Sequence, residues 1–204
     1  MRGSSLNKAK ASVAVLVSGG GTNLQAIIDC WQAGGMPHAE PVLVVSNRST
    51  AGGLARAEKA GIRNVFIPKE NFEEDLIRLL DEAEIDIIVL AGFLRILSED
   101  FVKRYPERIL NVHPSLIPSF CGDGFYGLKV HEAALGYGVK VTGATVHFVN
   151  EVTDGGRIIA QKAVEVLEGD TPETLQRRVM EQAEWILLPQ AVEQVAKGIV
   201  ERRQ

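Results

Sequence analysis

Apolar residues in this chain follow two rhythms that alternate along its length. Residues 13–17, 41–45, 64–67, 85–90 and 108–112 form short apolar runs rich in β-formers. Between them, apolar positions recur at helical spacing: Leu24, Ile27, Ile28 and Trp31, then residues 51–60 up to Gly61, then 72–83 with Leu76, Ile77, Leu79 and Leu80 inward. Strands apolar on both faces and separated by helices predict a parallel sheet covered on both sides. After residue 128 the order changes. Residues 129–135 predict a helix. Residues 139–149 and 156–166 predict two strands joined by a polar turn, hence an antiparallel pair. Residues 174–199 predict a long helix that breaks or kinks at Pro189. The expected fold is a single-domain α/β protein: a Rossmann-like, mostly parallel sheet, helices on both faces, and an antiparallel C-terminal portion.

Composition narrows the class. A length of 204 residues, 46% of them hydrophobic, supports one domain with an ample core, here residues 13–204. Residues 1–12 are small and polar and are expected to be a disordered or expression-derived tail, without the apolar stretch of a signal peptide. No apolar run reaches the roughly 18 residues that cross a bilayer, so no membrane is expected. A formal net charge of −4 argues against a general nucleic-acid footprint. Cys30 and Cys121 lack metal-ligand spacing, and the four histidines form no such cluster, so no metal is expected. Two free thiols suit a reducing cytoplasm. The partners expected are small molecules, for a monomer or a homodimer.

In open α/β sheets, ligands bind beyond the carboxyl ends of the strands. Three polar loops follow predicted strands: 18–23, 91–97 and 111–127. The first, Ser18-Gly19-Gly20-Gly21-Thr22-Asn23, joins a strand to a helix. Glycines there would let the backbone approach an anion at the helix N-terminus, and a single phosphate fits better than a dinucleotide or triphosphate. The bland alternative is a tight turn capped by Thr22. In the third loop, Asn111 and His113 are two apart at a strand end, on one face, just before Pro114 stops the ladder. The amide can donate to a developing oxyanion and the imidazole can move a proton near neutral pH. Asp154 is either an ordinary Asp-Gly turn residue or a carboxylate brought to His113 by a bent loop. His38 reads as a surface loop residue, His131 as part of the helix near Lys129, and His147 as a packing residue. Arg95 is a lone cation in an apolar loop, either in a structural ion pair or in a segment that meets a heterocycle.

Six motifs, in order, give a resemblance. They are Val-Ser-Gly-Gly-Gly-Thr-Asn-Leu-Gln-Ala-Ile-Ile (17–28), Val-Ser-Asn-Arg (45–48), Leu-Ala-Gly-Phe-Leu-Arg-Ile-Leu (90–97), Leu-Asn-Val-His-Pro-Ser-Leu-Ile-Pro (110–118), Val-Thr-Gly-Ala-Thr-Val-His-Phe-Val (141–149) and Asp-Gly-Gly (154–156). Over residues 13–199 the chain resembles the phosphoribosylglycinamide formyltransferases of purine biosynthesis. The resemblance implies formyl transfer from 10-formyltetrahydrofolate, the cosubstrate, to glycinamide ribonucleotide. By the same resemblance, Asn111, His113 and Asp154 are catalytic, with Asp154 holding the imidazole in its charged form. Gly21, Thr22, Asn23 and Glu184 bind the phosphoribosyl substrate. Lys69, Leu94, Arg95, Ile96, Leu97 and Asn111 bind the folate, the 94–97 loop largely through its backbone. Trp185 stands where the family usually has His, the helix before Glu184 is offset by one residue, and the loop 120–127 is longer than in many relatives. A deformylating hydrolase or a tRNA transformylase would be expected to carry a further domain for which this length leaves no room.

Overall fold

Among the described residues, seven strands form one sheet in the order β3-β2-β1-β4-β5-β6-β7. They are β1 (Ala11–Val17), β2 (Ala39–Ser46), β3 (Arg63–Phe66), β4 (Ile87–Leu90), β5 (Ile109–His113), β6 (Val141–Phe148) and β7 (Ile158–Glu165). The computed structural model describes residues 9–204. The first five strands run parallel, and β6 and β7 are antiparallel to their neighbours. The helices are α1 (Thr22–Gln32), α2 (Gly52–Lys59), α3 (Phe72–Glu82), α4 (Glu99–Arg104), α5 (Leu128–Tyr137), α6 (Pro172–Val179) and α7 (Trp185–Glu201). This is the α/β architecture expected from the apolar rhythm.

The alternation of β1 shows why both faces are covered. Val13, Val15 and Val17 enter one core with α1 and α7, while Ala14 and Leu16 enter a second core with α3 and α4. A third, smaller cluster joins Ala134, Ala144, Leu175 and Val179 under α5 and α6. Pro41 sits inside β2, where a missing N–H would break a ladder. The register slips there: Val13 pairs with Pro41 but Ala14 pairs with Leu43.

Several expectations are corrected. β1 begins at Ala11, so residues 11 and 12, read as tail, are its first rungs, with Ser12 N–H donating to Asp86 at 2.9 Å. Residues 1–8 of the expected tail lie outside the described residues. His38 is half-buried and pairs with Glu193 at 2.5 Å. Helix α4, absent from the reading above, is capped by Ser98, whose Oγ accepts from Phe101 N–H. The C-terminal helix does not break at Pro189, which lies inside α7. Its irregularity is earlier, a π turn over Met180–Glu184. A π turn puts one extra residue into the helical path, in keeping with the one-residue offset read from the sequence. Trp185, whose carbonyl the Pro189 ring would meet, relaxes to ψ −15° at the junction. No helix among the described residues is long and apolar enough to cross a membrane.

Candidate active site

β1, β4 and β5 lie side by side, so the loops that leave their carboxyl ends meet on one edge of the sheet. Asn111 and His113 end β5, directly opposite His147 and Thr145 of β6. All four side chains therefore share one face. Thr145 also holds the turn beyond His113: its hydroxyl donates to the Ser115 carbonyl at 2.7 Å and accepts the Ile117 N–H at 3.1 Å. Buried Ser115 closes the turn by donating to the Ser119 carbonyl at 2.5 Å.

Asp154 comes from the long loop between β6 and β7 and is no simple hairpin aspartate. Its backbone is left-handed, φ 54°, and its side chain is largely buried between two histidines. Oδ2 lies 3.5 Å from His113 Nδ1, and Oδ1 lies 3.6 Å from His147 Nε2. Burial opposes ionisation of Asp154. The Gly122 N–H at 2.9 Å and His113 act the other way, and the carboxyl is held below the ordinary aspartate range.

His147, read from sequence as packing, orients Asn111. Its Nδ1–H donates to the Phe148 carbonyl at 2.8 Å, which leaves Nε2 of the neutral ring as an acceptor. That nitrogen faces Asn111 Nδ2 at 3.2 Å, shorter than its distance to Asp154, and so fixes which end of the amide points which way. Nothing in a single sequence gives the β5–β6 register that sets this pair opposite. His131 lies on α5 as expected, but it is fully buried, lines the cavity, and neither ring nitrogen has a partner among the described residues. Burial, then the charge of His113, push it down to about 4.

Asn111, His113 and Asp154 line a cavity of about 680 Å³, and Thr22, Asn23, Leu94, Arg95, Ile96 and Glu184 share its wall. The cap of α1 is Gly21, φ 74°, and not Thr22. A Cβ on Gly21 would come within 2.7 Å of Gly53 Cα, so this glycine is demanded by the packing of the turn on α2. Gly19 and Gly20 face open space. Asn23 turns its side chain inward and donates to Glu184 Oε2 at 2.7 Å, which leaves its backbone N–H at the helix start. Burial pushes the Glu184 carboxyl up, against the lowering effect of Asn23.

Leu94 and Ile96 are exposed, whereas Leu97 is buried beneath them. Leu94 N–H donates to Ser18 Oγ at 2.9 Å, and Ser18 Oγ donates to Asn47 at 2.7 Å, tying this loop to the glycine loop. Lys69 is outside the main cavity. It lines an adjoining one of about 530 Å³ with Arg95, Ile96 and Leu97. The Arg95 guanidinium stacks on Phe72 at 4.6 Å and donates to the Lys69 carbonyl at 3.3 Å, so it is no longer a lone cation.

A Rossmann-like sheet whose strand ends bring an amide, an imidazole and a carboxylate to one cavity defines a class, and a family model gives it a name. The formyl transferase model matches residues 11–192, and the chain belongs to that family. Within it, the chain is 38% identical to phosphoribosylglycinamide formyltransferase of Haemophilus influenzae, over 91% of this chain and 87% of that one. It is 48% identical to the trifunctional purine biosynthetic protein adenosine-3 of Gallus gallus over 94% of this chain, which spans only 19% of that relative. Its fold matches glycinamide ribonucleotide transformylase 1 from Symbiobacterium toebii with a TM-score of 0.86 at 39% identity, covering 96% of this chain and 94% of that one.

Proposed function

We propose that the chain is a phosphoribosylglycinamide formyltransferase, moving the formyl group of 10-formyltetrahydrofolate to the amine of glycinamide ribonucleotide in purine biosynthesis. The observation that carries this reading is the convergence of Asn111, His113 and Asp154 on a cavity with the start of α1 on one side and the exposed 94–96 loop on the other. The names of the relatives support it. The phosphate lies at the N–H groups of Thr22 and Asn23, favoured by the positive end of the helix. Glu184 borders the sugar. The folate ring lies along Leu94, Arg95, Ile96 and Leu97, and its acidic tail reaches toward Lys69.

The amine nitrogen bonds to the formyl carbon, and the carbonyl electron pair moves to oxygen. The second N–H of Asn111 and the imidazolium of His113 stabilise that oxyanion. His113 gives its proton to the folate nitrogen and takes up the proton that the amine loses, and the oxyanion pair re-forms the carbonyl as the carbon–nitrogen bond to folate breaks with its electron pair going to that nitrogen. The small-molecule partners and a cytoplasmic setting belong to the same reading.

The test is tetrahydrofolate release from 10-formyltetrahydrofolate, with and without glycinamide ribonucleotide. The expected result is release only with the ribonucleotide. Equal release without it would mean hydrolysis, and the reading would fall.

A further inference from the structure

His113 and Asp154 are both bonded to one short stretch of backbone. The Phe120 carbonyl lies 2.9 Å from His113 Nε2, and the Gly122 N–H donates to Asp154 Oδ2 at 2.9 Å. That Oδ2 is the oxygen 3.5 Å from His113 Nδ1. A carbonyl has only lone pairs, so the nitrogen facing it must carry hydrogen. Nε2–H is thereby fixed, which leaves Nδ1 as the nitrogen that faces the carboxylate. The donor behind the carboxylate favours its charged form. The other titratable groups around the pair are His131 from α5, itself neutral, His147 from β6 on the second carboxylate oxygen, and Cys121 in the same loop. Among the described residues, only Phe120 takes the Nε2 hydrogen.

The carbonyl faces His113 because Phe120 is left-handed, φ 49°, a conformation that costs a residue with a side chain. Its ring offsets that cost by packing on Phe125, 6.5 Å between centroids, and edge-on against Tyr137 of α5 at 6.1 Å.

We infer that Phe120 is a positioning residue: its aromatic anchor holds the backbone carbonyl that sets the His113 tautomer and turns Nδ1 to Asp154. The kinetic part rests on the proposed formyl transfer; the tautomer part does not. The experiment compares wild type with Phe120→Ala, Phe120→Gly and Phe120→Tyr, by ring ¹⁵N shifts of His113 and by steady-state kinetics. With the ring neutral, wild type and Phe120→Tyr should show the Nε2–H tautomer. Phe120→Ala should show mixed tautomers and a kcat lower by roughly tenfold, a fraction of what a positioned acid–base group supplies, with both KM values little changed. Phe120→Gly suits the left-handed backbone but lacks the ring, and should behave like Phe120→Ala; it also serves if Phe120→Ala does not fold. A folded Phe120→Ala or Phe120→Gly that keeps Nε2–H and wild-type kcat would overturn the inference, as would a wild type in the other tautomer. If wild type fails to formylate the ribonucleotide while the tautomer shift appears, the substrate reading falls and the positioning role stands.

Discussion

At the scale of single residues, the proposed chemistry rests on groups that cannot be exchanged for look-alikes. On the proposed mechanism Asn111→Ala removes one oxyanion donor and His113→Ala removes the proton carrier, and each is predicted to lower kcat by at least roughly 10²-fold. Because both act on one transition state, the double variant should fall well short of the product of the two losses. His131 carries a different prediction. Its folded value of about 4 lies below the ordinary 6.5, so as pH falls the unfolded chain takes up the proton first. Stability from its neutral form is thus full above pH 6.5 and lost toward pH 4, about 3 kcal/mol in all. Denaturant melts at pH 7 and pH 4 should show His131→Leu losing that much less than wild type, and an equal loss in both would refute the assignment. Asn111 and His113 were legible because their spacing at a strand end is local. Asp154 came from the family resemblance alone, since an Asp-Gly turn reads the same with or without a function. His147 and Phe120 were not legible: one acts through a register between strands, the other through a backbone carbonyl that any residue would supply.

Secondary-structure elements with a clear period were readable, and the short or irregular ones were not. α4 has six residues, too few for a period to show, although Ser98 followed by Glu99 and Asp100 is a helix-start signal. The π turn left one trace, the one-residue offset before Glu184, which does not by itself say that the helix continues through the turn and carries Glu184 to the cavity wall. The glycine loop before α1 was read correctly as a strand-to-helix turn, but its three glycines do different work. Gly21 meets the demands of the turn and of Gly53, so a side chain there disturbs the fold. Gly20 faces open space and is the better probe. Gly20→Ala should leave thermal stability close to wild type, raise KM for glycinamide ribonucleotide several-fold and leave KM for the folate unchanged. Parallel rises in both constants would argue that no phosphate rests on this loop.

For the whole molecule, strand count, the parallel start and the antiparallel end all followed from apolar rhythm, whereas the sheet order did not, because long-range pairing leaves no local pattern. That order is what makes the site. β1, β4 and β5 are neighbours, so the glycine loop, the 91–97 loop and the turn after His113 face one cavity. The Ser18 hydroxyl then bonds two of those loops together. The central claim is that this assembly passes a formyl group between two bound small molecules, with His113 carrying the proton. The most direct measurement follows labelled formyl from 10-formyltetrahydrofolate in a single turnover with glycinamide ribonucleotide, using wild type and His113→Ala. The account predicts label in formylglycinamide ribonucleotide, one for each tetrahydrofolate formed, and a rate at least roughly 10²-fold lower in the variant. Label released as free formate in the presence of the ribonucleotide, or undiminished transfer by His113→Ala, would contradict it.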